Sequence, residues 1–188
     1  MPSIFTHQPT FASTELTLRP LRPEDAEALL AVYGDECAVP YFNGDNCHGD
    51  NFYYQTLDRV RQAMDFWAFS CREGYFVRWA IVENDGDRVV GTVELCDREQ
   101  DGDIDLILRI DLRHDRERAE MVAAVLKALL PEAQGYFRGQ AVVTKCWPYA
   151  GVRQRALEDF GFVPDERPII GADGTVYGDY WRLGSRNG

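Results

Sequence analysis

Residues 112–121, LRHDRERAEM, set three arginines and three acids between an apolar strand and an amphipathic helix. The opening of a helix is where a phosphate-bearing ligand docks, because unpaired N–H groups and the helix dipole both favour an anion. Such junctions are normally rich in glycine, which lets the ligand touch bare backbone. This one has no glycine. Arg113, Arg116 and Arg118 offer guanidinium groups shaped for phosphate. Asp115, in contrast, is a good N-cap and can take the same amides for itself. Two readings stand: a phosphate site gripped by arginine side chains, or a capped helix start with solvated charges.

Other residues could carry chemistry. Glu94 and Asp105 fall on central strands, where a carboxylate is unusual. Either suits a base acting directly or through water, and either suits a salt bridge to Arg109. Residues 35–55 form a long irregular segment rich in aromatics, and loops of that length are usually functional. Tyr41, Phe42, Asn43 and Tyr53 can wall a substrate pocket there, with Asp45 and Asp50 attracting a cation; the same aromatics can instead form a local core that pins the loop. The sequence holds no G-x-S-x-G elbow, zinc motif or dinucleotide fingerprint.

The elements that position these residues follow from periodicity. Glu15 to Leu21 alternates as a strand, and RPEDAEALLAVYG reads as a helix opened by Pro23 and stopped by Gly34. A second helix is expected from Thr56 to Cys71. Strands at Tyr75 to Glu83 and Arg88 to Cys96 meet at an Asp85-Gly86 hairpin turn. The acidic run DREQDGD reads as a loop before a strand at Asp103 to Asp111, with Ile104, Leu106, Leu108 and Ile110 on one face and Asp105, Ile107 and Arg109 on the other. The helix after residue 118 is expected to end at Pro131. A buried strand QAVVTKC, a helix at Gly151 to Phe160 capped by Gly161, and a terminal hairpin complete the chain. The order predicts a three-layer α/β/α fold. Its sheet is mixed, mostly antiparallel, of six to seven strands, with a central strand-helix-strand crossover.

The chain has 188 residues, 45% of them hydrophobic, enough for one domain over 1–188 with an N-terminal arm at 1–13. A net charge of −11 excludes a nucleic-acid partner and favours a cationic one. Five scattered cysteines without C-x-x-C spacing read as reduced thiols, and no metal is expected. No apolar run approaches the roughly 20 residues that span a bilayer, and the N-terminus lacks signal-peptide character. The expectation is a cytoplasmic protein without a membrane partner; a homodimer is compatible with the sequence.

LTLRPLRPEDAEALLAVY, RWAIVENDGDRVVGTVEL and RALEDFGFVPDE together resemble the GNAT superfamily of acyl-CoA-dependent N-acetyltransferases, in its ribosomal-protein N-terminal acetyltransferase-like branch. The resemblance covers Glu15 to Leu183 and implies acetyl-CoA as co-substrate and a small-molecule or peptide amine as acceptor. It implies that pantetheine runs along Ile110, Asp111 and Leu112, whose amides polarise the thioester carbonyl. The diphosphate would lie on Arg113, Arg116, Glu117, Arg118 and Ala119. The family's Arg/Gln-x-x-Gly-x-Gly/Ala motif falls on residues 115–120, where Asp115, Arg118 and Glu120 replace its marked positions: a degenerate motif. The family's asparagine and tyrosine ahead of and within the next helix correspond to Ala150 and Leu157, with Tyr149 a candidate substitute acid. Catalytic candidates are therefore Glu94, Asp105 and Tyr149. The alternative is a GNAT-fold protein that has lost acetyl-CoA binding and serves as a ligand- or partner-binding module.

Overall fold

Alternation on the central strands decides the layering. A computed structural model describes residues 3–184. Strand β5 (Asp103–Leu112) turns Leu106, Leu108 and Ile110 into the main apolar core, where α3 (Ala119–Ala133) and α4 (Gly151–Phe160) pack. Its odd residues face the opposite side. There α1 (Ala26–Tyr33) and α2 (Leu57–Arg72) form a second core around Tyr33, Phe52, Tyr54 and Trp67. Thr56 caps α2 by accepting the Arg59 N–H, and Gly161 closes α4 in the left-handed region at φ 102°.

The remaining strands are β1 (Phe11–Ala12), β2 (Leu16–Pro20), β3 (Val77–Glu83), β4 (Arg88–Gln100), β6 (Ala141–Lys145), β7 (Val163–Asp165), β8 (Ile169–Ile170), β9 (Val176–Tyr177) and β10 (Tyr180–Leu183). Eight of the ten form one sheet in the order β1-β2-β3-β4-β5-β6-β10-β7, and β8 and β9 pair separately. Within the large sheet β5 and β6 run parallel, joined by α3, and the other pairs are antiparallel. This is the expected mixed sheet with flanking helices.

Three details differ from expectation. The sheet has eight strands because arm residues Phe11–Ala12 pair with β2 and residues 163–165 add an outer strand beyond β10. The acidic run is not a loop: β4 continues to Gln100, and Asp101-Gly102 alone makes the turn, at φ 56° and 86°, as a two-residue hairpin of this composition favours. Pro131 does not end α3, which continues to Ala133. A proline near the last turn forfeits only one helical hydrogen bond, and burial of Leu129, Leu130 and Ala133 holds the turn.

Candidate active site

The β5–β6 ladder opens partway along. Parallel pairing runs from Asp105↔Ala141 to Leu108↔Thr144 and stops, while β5 stays paired with β4 as far as Leu112↔Gly91. Arg113 donates its N–H to the Val90 carbonyl on the β4 side, and Ile104 accepts from Gln140 on the β6 side. Odd residues of β5 therefore bond to β4 and even ones face β6. Ile110 and Leu112 consequently turn their backbone groups toward the opening, past the last β6 partner. Both residues are buried, and an N–H that leaves a ladder must find its partner in water or a ligand.

At the end of that edge lies the glycine-free turn. Asp115 does not cap α3. Its carboxylate accepts from Arg113 (2.5 and 2.7 Å) and Arg116 (2.6 Å), and those guanidiniums hold it below its ordinary pKa. Arg116 also donates to Glu83 at 2.6 Å. The helix begins instead at Ala119, with Arg118 in extended conformation as N-cap and no side-chain bond there. Amides 116 to 118 close on carbonyls within the turn. Among the described residues the N–H groups of 119, 120 and 121 make no hydrogen bond outside the helix. Arg118, exposed beside them, is the one arginine of the three with no carboxylate within 4.0 Å among the described residues.

Glu117 points inward. Its two oxygens accept from Arg153 of α4 at 2.7 and 2.6 Å, and the side chains keep only 3% and 4% exposure. Arg153 also reaches the Tyr41 carbonyl at 3.4 Å. Tyr149 donates to the Pro40 carbonyl at 2.6 Å and its ring meets Tyr41 edge-on. The loop after α1 and the start of α4 are thus stitched together beside the opening.

On the opposite face of the sheet is a cavity of about 510 Å³. Its floor is a buried charge network. Arg78 donates to Glu94 (2.7 and 3.0 Å), Asp111 (2.9 Å), Tyr33 (2.8 Å) and Thr92 (2.9 Å), and Arg109 donates to the other Glu94 oxygen at 2.6 Å. Burial alone would push the Glu94 carboxyl up; the two guanidiniums outweigh it and hold the group below the usual range. Arg78 lies over the Trp67 ring at 4.4 Å. Phe52, Tyr54, Phe66, Trp67 and Phe76 supply aromatic wall. Phe52 adopts φ 60°, a conformation that costs a bulky residue about 1–3 kcal/mol and clusters at functional sites.

The candidate residues are only partly brought together. Glu94 sits on the cavity floor with both oxygens taken. Asp105 lies further along β5 in a bidentate pair with Arg182 at 2.8 Å, and Tyr149 is on the α4 side. Asp111, an odd residue, pairs its backbone with β4 rather than facing the opening, and its carboxylate goes to Arg78 and Tyr33. The long loop does wall the cavity, through Asp45, Asn46, Cys47, His48, Asp50, Phe52 and Tyr54 rather than through Tyr41, Phe42, Asn43 or Tyr53. Phe42 packs on Tyr33, and Asn43 accepts from the Asp45 N–H and donates to Tyr180. Sequence reasoning missed Arg78, Arg153, Lys145 and Tyr180. A charged residue inside an otherwise apolar strand was the signal for Arg78 and Lys145; Arg153 and Tyr180 gave none. Among the described residues no His/Cys/Asp/Glu cluster could hold a metal, and no helix is long and apolar enough to cross a membrane.

A mixed sheet with one parallel crossover and helices on both faces is a GNAT-like fold. The family model of the GNAT acetyltransferase domain matches residues 15–163, and the chain belongs to that family. No curated protein matches it. Among solved structures it is similar to the ribosomal L7/L12 α-N-protein acetyltransferase RimL in complex with coenzyme A, at TM-score 0.68 and 15% identity, covering 93% of this chain and 97% of that one. Mycobacterium smegmatis RimJ in complex with CoA-disulfide gives 0.66 and 16%, covering 89% and 79%. The microcin C7 self-immunity acetyltransferase MccE in complex with acetyl-CoA and AMP gives 0.67 and 14%, covering 92% and 94%. At these identities the likeness is one of fold.

Proposed function

We propose that the protein is an N-acetyltransferase that moves an acetyl group from acetyl-CoA to a primary amine of a small molecule or peptide, acting as a single domain in the cytoplasm. The observation that carries this reading is the unpaired edge of Ile110 and Leu112, which ends at the uncapped amides of 119–121 beside Arg118. The edge can bond the pantetheine amides as an added strand would. The amides and Arg118 can hold the diphosphate. Arg113 and Arg116 are committed to Asp115 and Glu83 and contribute less. The N–H of Ile110 or Leu112 is placed to stabilise negative charge on the thioester oxygen. The amine, entering from the cavity, attacks that carbonyl; the C–N bond forms, the C–S bond breaks with its electron pair to release coenzyme A as a thiolate, and the amine proton passes to an acceptor and on to that thiolate. Glu94 is a poor direct acceptor for it, since both oxygens are bonded and its affinity for protons is reduced. Water, or the carboxylate of Asp45, takes that role.

A second reading, a GNAT-fold protein that no longer binds acetyl-CoA, is favoured by one observation. The buried Glu117–Arg153 pair and Tyr41 stand beside the slot where coenzyme would pass. Calorimetric titration with acetyl-CoA separates the two. Micromolar binding by the native chain, weakened by Arg118→Ala, is the outcome the transferase requires; silence at millimolar coenzyme leaves the second reading.

A further inference from the structure

We infer that the 510 Å³ cavity takes a ligand carrying a primary amine and an anionic group together, an amino acid or short peptide, with its amine at Asp45 and its anion at Arg98. As an identification of the acetyl acceptor this rests on the transferase reading; as a ligand class it stands without it.

The argument is a count of which lining charges are already matched. Asp50 is paired with Arg59 at 2.6 Å. Glu94 is held by Arg78 and Arg109. Asp97 accepts the N–H groups of Arg138 and Gly139 at 2.8–3.0 Å. Arg78 and Arg109 are balanced by Glu94 and Asp111, so the floor is neutral. Two features stay open: one cation without a counter-ion, and one oxygen of a carboxylate whose charge is already paired. Arg98 is the one arginine of the lining with no carboxylate within 4.0 Å among the described residues; it donates to the Ile170 carbonyl, and its buried Nε has no partner. A half-buried cation without a counter-ion invites an anion. The other is Asp45. Lys145 at 2.5 Å pairs its charge and, with Tyr180 at 2.9 Å, bonds Oδ2; Oδ1 takes neither. That oxygen is an acceptor for an ammonium or a leaving amine proton.

The two groups mark opposite ends of the cavity. Glu94, Cys96 and Arg98 alternate onto the cavity face of β4, so Glu94 and Arg98 are about 13 Å apart along the strand. Asp45 belongs to the Glu94 end, because Arg109 bonds both the Glu94 carboxylate and the Asp45 carbonyl. The arginine side chain shortens the gap to what an amino acid or a peptide of two or three residues spans. The Glu94 end is also the end nearer the β5–β6 opening, since Glu94 pairs with Arg109, one residue past Leu108. An amine held there meets the edge where a thioester would lie. Aromatic wall between the ends suits an apolar side chain. The global charge of −11 favours a polyamine; the unpaired Arg98 calls for an anion and the open Asp45 oxygen accepts an amine N–H, and within a cavity local partners outweigh screened distant ones.

The test is calorimetry on the full chain without coenzyme, so that loss of acetyl-CoA binding cannot mask it. The probes are L-phenylalanine, the dipeptide Phe-Asp, phenethylamine, 3-phenylpropionate and spermidine. Phenylalanine or Phe-Asp should bind at least about tenfold tighter than phenethylamine or 3-phenylpropionate. The stronger of the two tells a free amino acid from a peptide. Arg98→Gln, at a half-buried position near the end of β4, should weaken the zwitterion about tenfold and leave phenethylamine unchanged. Equal or tighter binding of phenethylamine or spermidine overturns the inference, as does an Arg98→Gln variant that binds phenylalanine and Phe-Asp like the native chain. Absence of binding by every probe at about 10 mM overturns it as well.

Discussion

Removing the Glu117 carboxylate should be among the most destabilising single changes in the molecule. The Glu117–Arg153 pair is bidentate, at 2.6 and 2.7 Å, with both side chains almost fully buried. In Glu117→Ala the guanidinium stays buried with only the Tyr41 carbonyl, at 3.4 Å, near it. Breaking a buried pair from one side costs about 3–5 kcal/mol, because an uncompensated charge remains, against about 5–15 kcal/mol for a whole domain. At a urea slope of about 2 kcal/mol/M this lowers the midpoint by about 2 M with the slope unchanged. Replacing both residues by methionine removes both charges at similar volume and should recover most of that loss. The assay is urea unfolding of native, Glu117→Ala, Glu117→Met, Arg153→Met and the double methionine variant. A loss below about 1 kcal/mol in Glu117→Ala, or single losses that simply add in the double variant, would refute the claim that this pair is a desolvated, mutually dependent clamp.

Glu94→Gln should destabilise by about 3–5 kcal/mol, since Arg78 and Arg109 lose their shared anion in a buried network, and chemical denaturation at neutral pH reads it. The same group fixes a pH dependence. Its folded pKa lies below the ordinary 4.5, so the unfolded chain binds the proton more readily; the stabilisation is complete above the unfolded value and is lost as pH falls through the folded one. Stability measured from pH 6 downward should therefore fall less steeply in Glu94→Gln than in the native chain. Gly91→Ala places a Cβ 2.1 Å from the Asp111 carbonyl oxygen; it should cost about 1–3 kcal/mol or more, seen as a lowered melting temperature, and an unchanged melt would mean that β4 and β5 do not approach so closely.

Periodicity made the framework legible. The split of β5 into an apolar even face and a polar odd face, and the Gly161 cap with Phe162 bonding back to Leu157, follow directly from residue spacing. The β5 edge came from the resemblance and not from spacing; parallel pairing with β6 ends at Leu108↔Thr144. What spacing could not reveal was which charges meet. Glu117 and Arg153 are 36 positions apart, and Arg78 and Asp111 are 33. In LRHDRERAEM the N-cap position falls to Asp115. Asp115 was chosen by position, but two flanking guanidiniums compete for it, and a charge-assisted pair outbids a neutral amide. Glu117 was read as a phosphate neighbour although it is the residue that turns inward.

The two faces of β5 divide the work of the molecule. Even residues lend backbone to an edge that opens beyond Leu108; odd residues lend Arg109 and Asp111 to a neutral charge network under the cavity. Neutrality on the floor has a consequence for chemistry. A free carboxylate there would hold an ammonium as a cation and so oppose its attack on a thioester. With Glu94 and Asp111 bonded to arginine and Asp45 paired with Lys145, neither floor nor loop offers such a trap, and on the proposed reading the open Asp45 oxygen takes the proton. A buried network of four charges contributes little net stability; on this reading it is retained because it keeps the amine from being stabilised in its unreactive form at the one place where it must react.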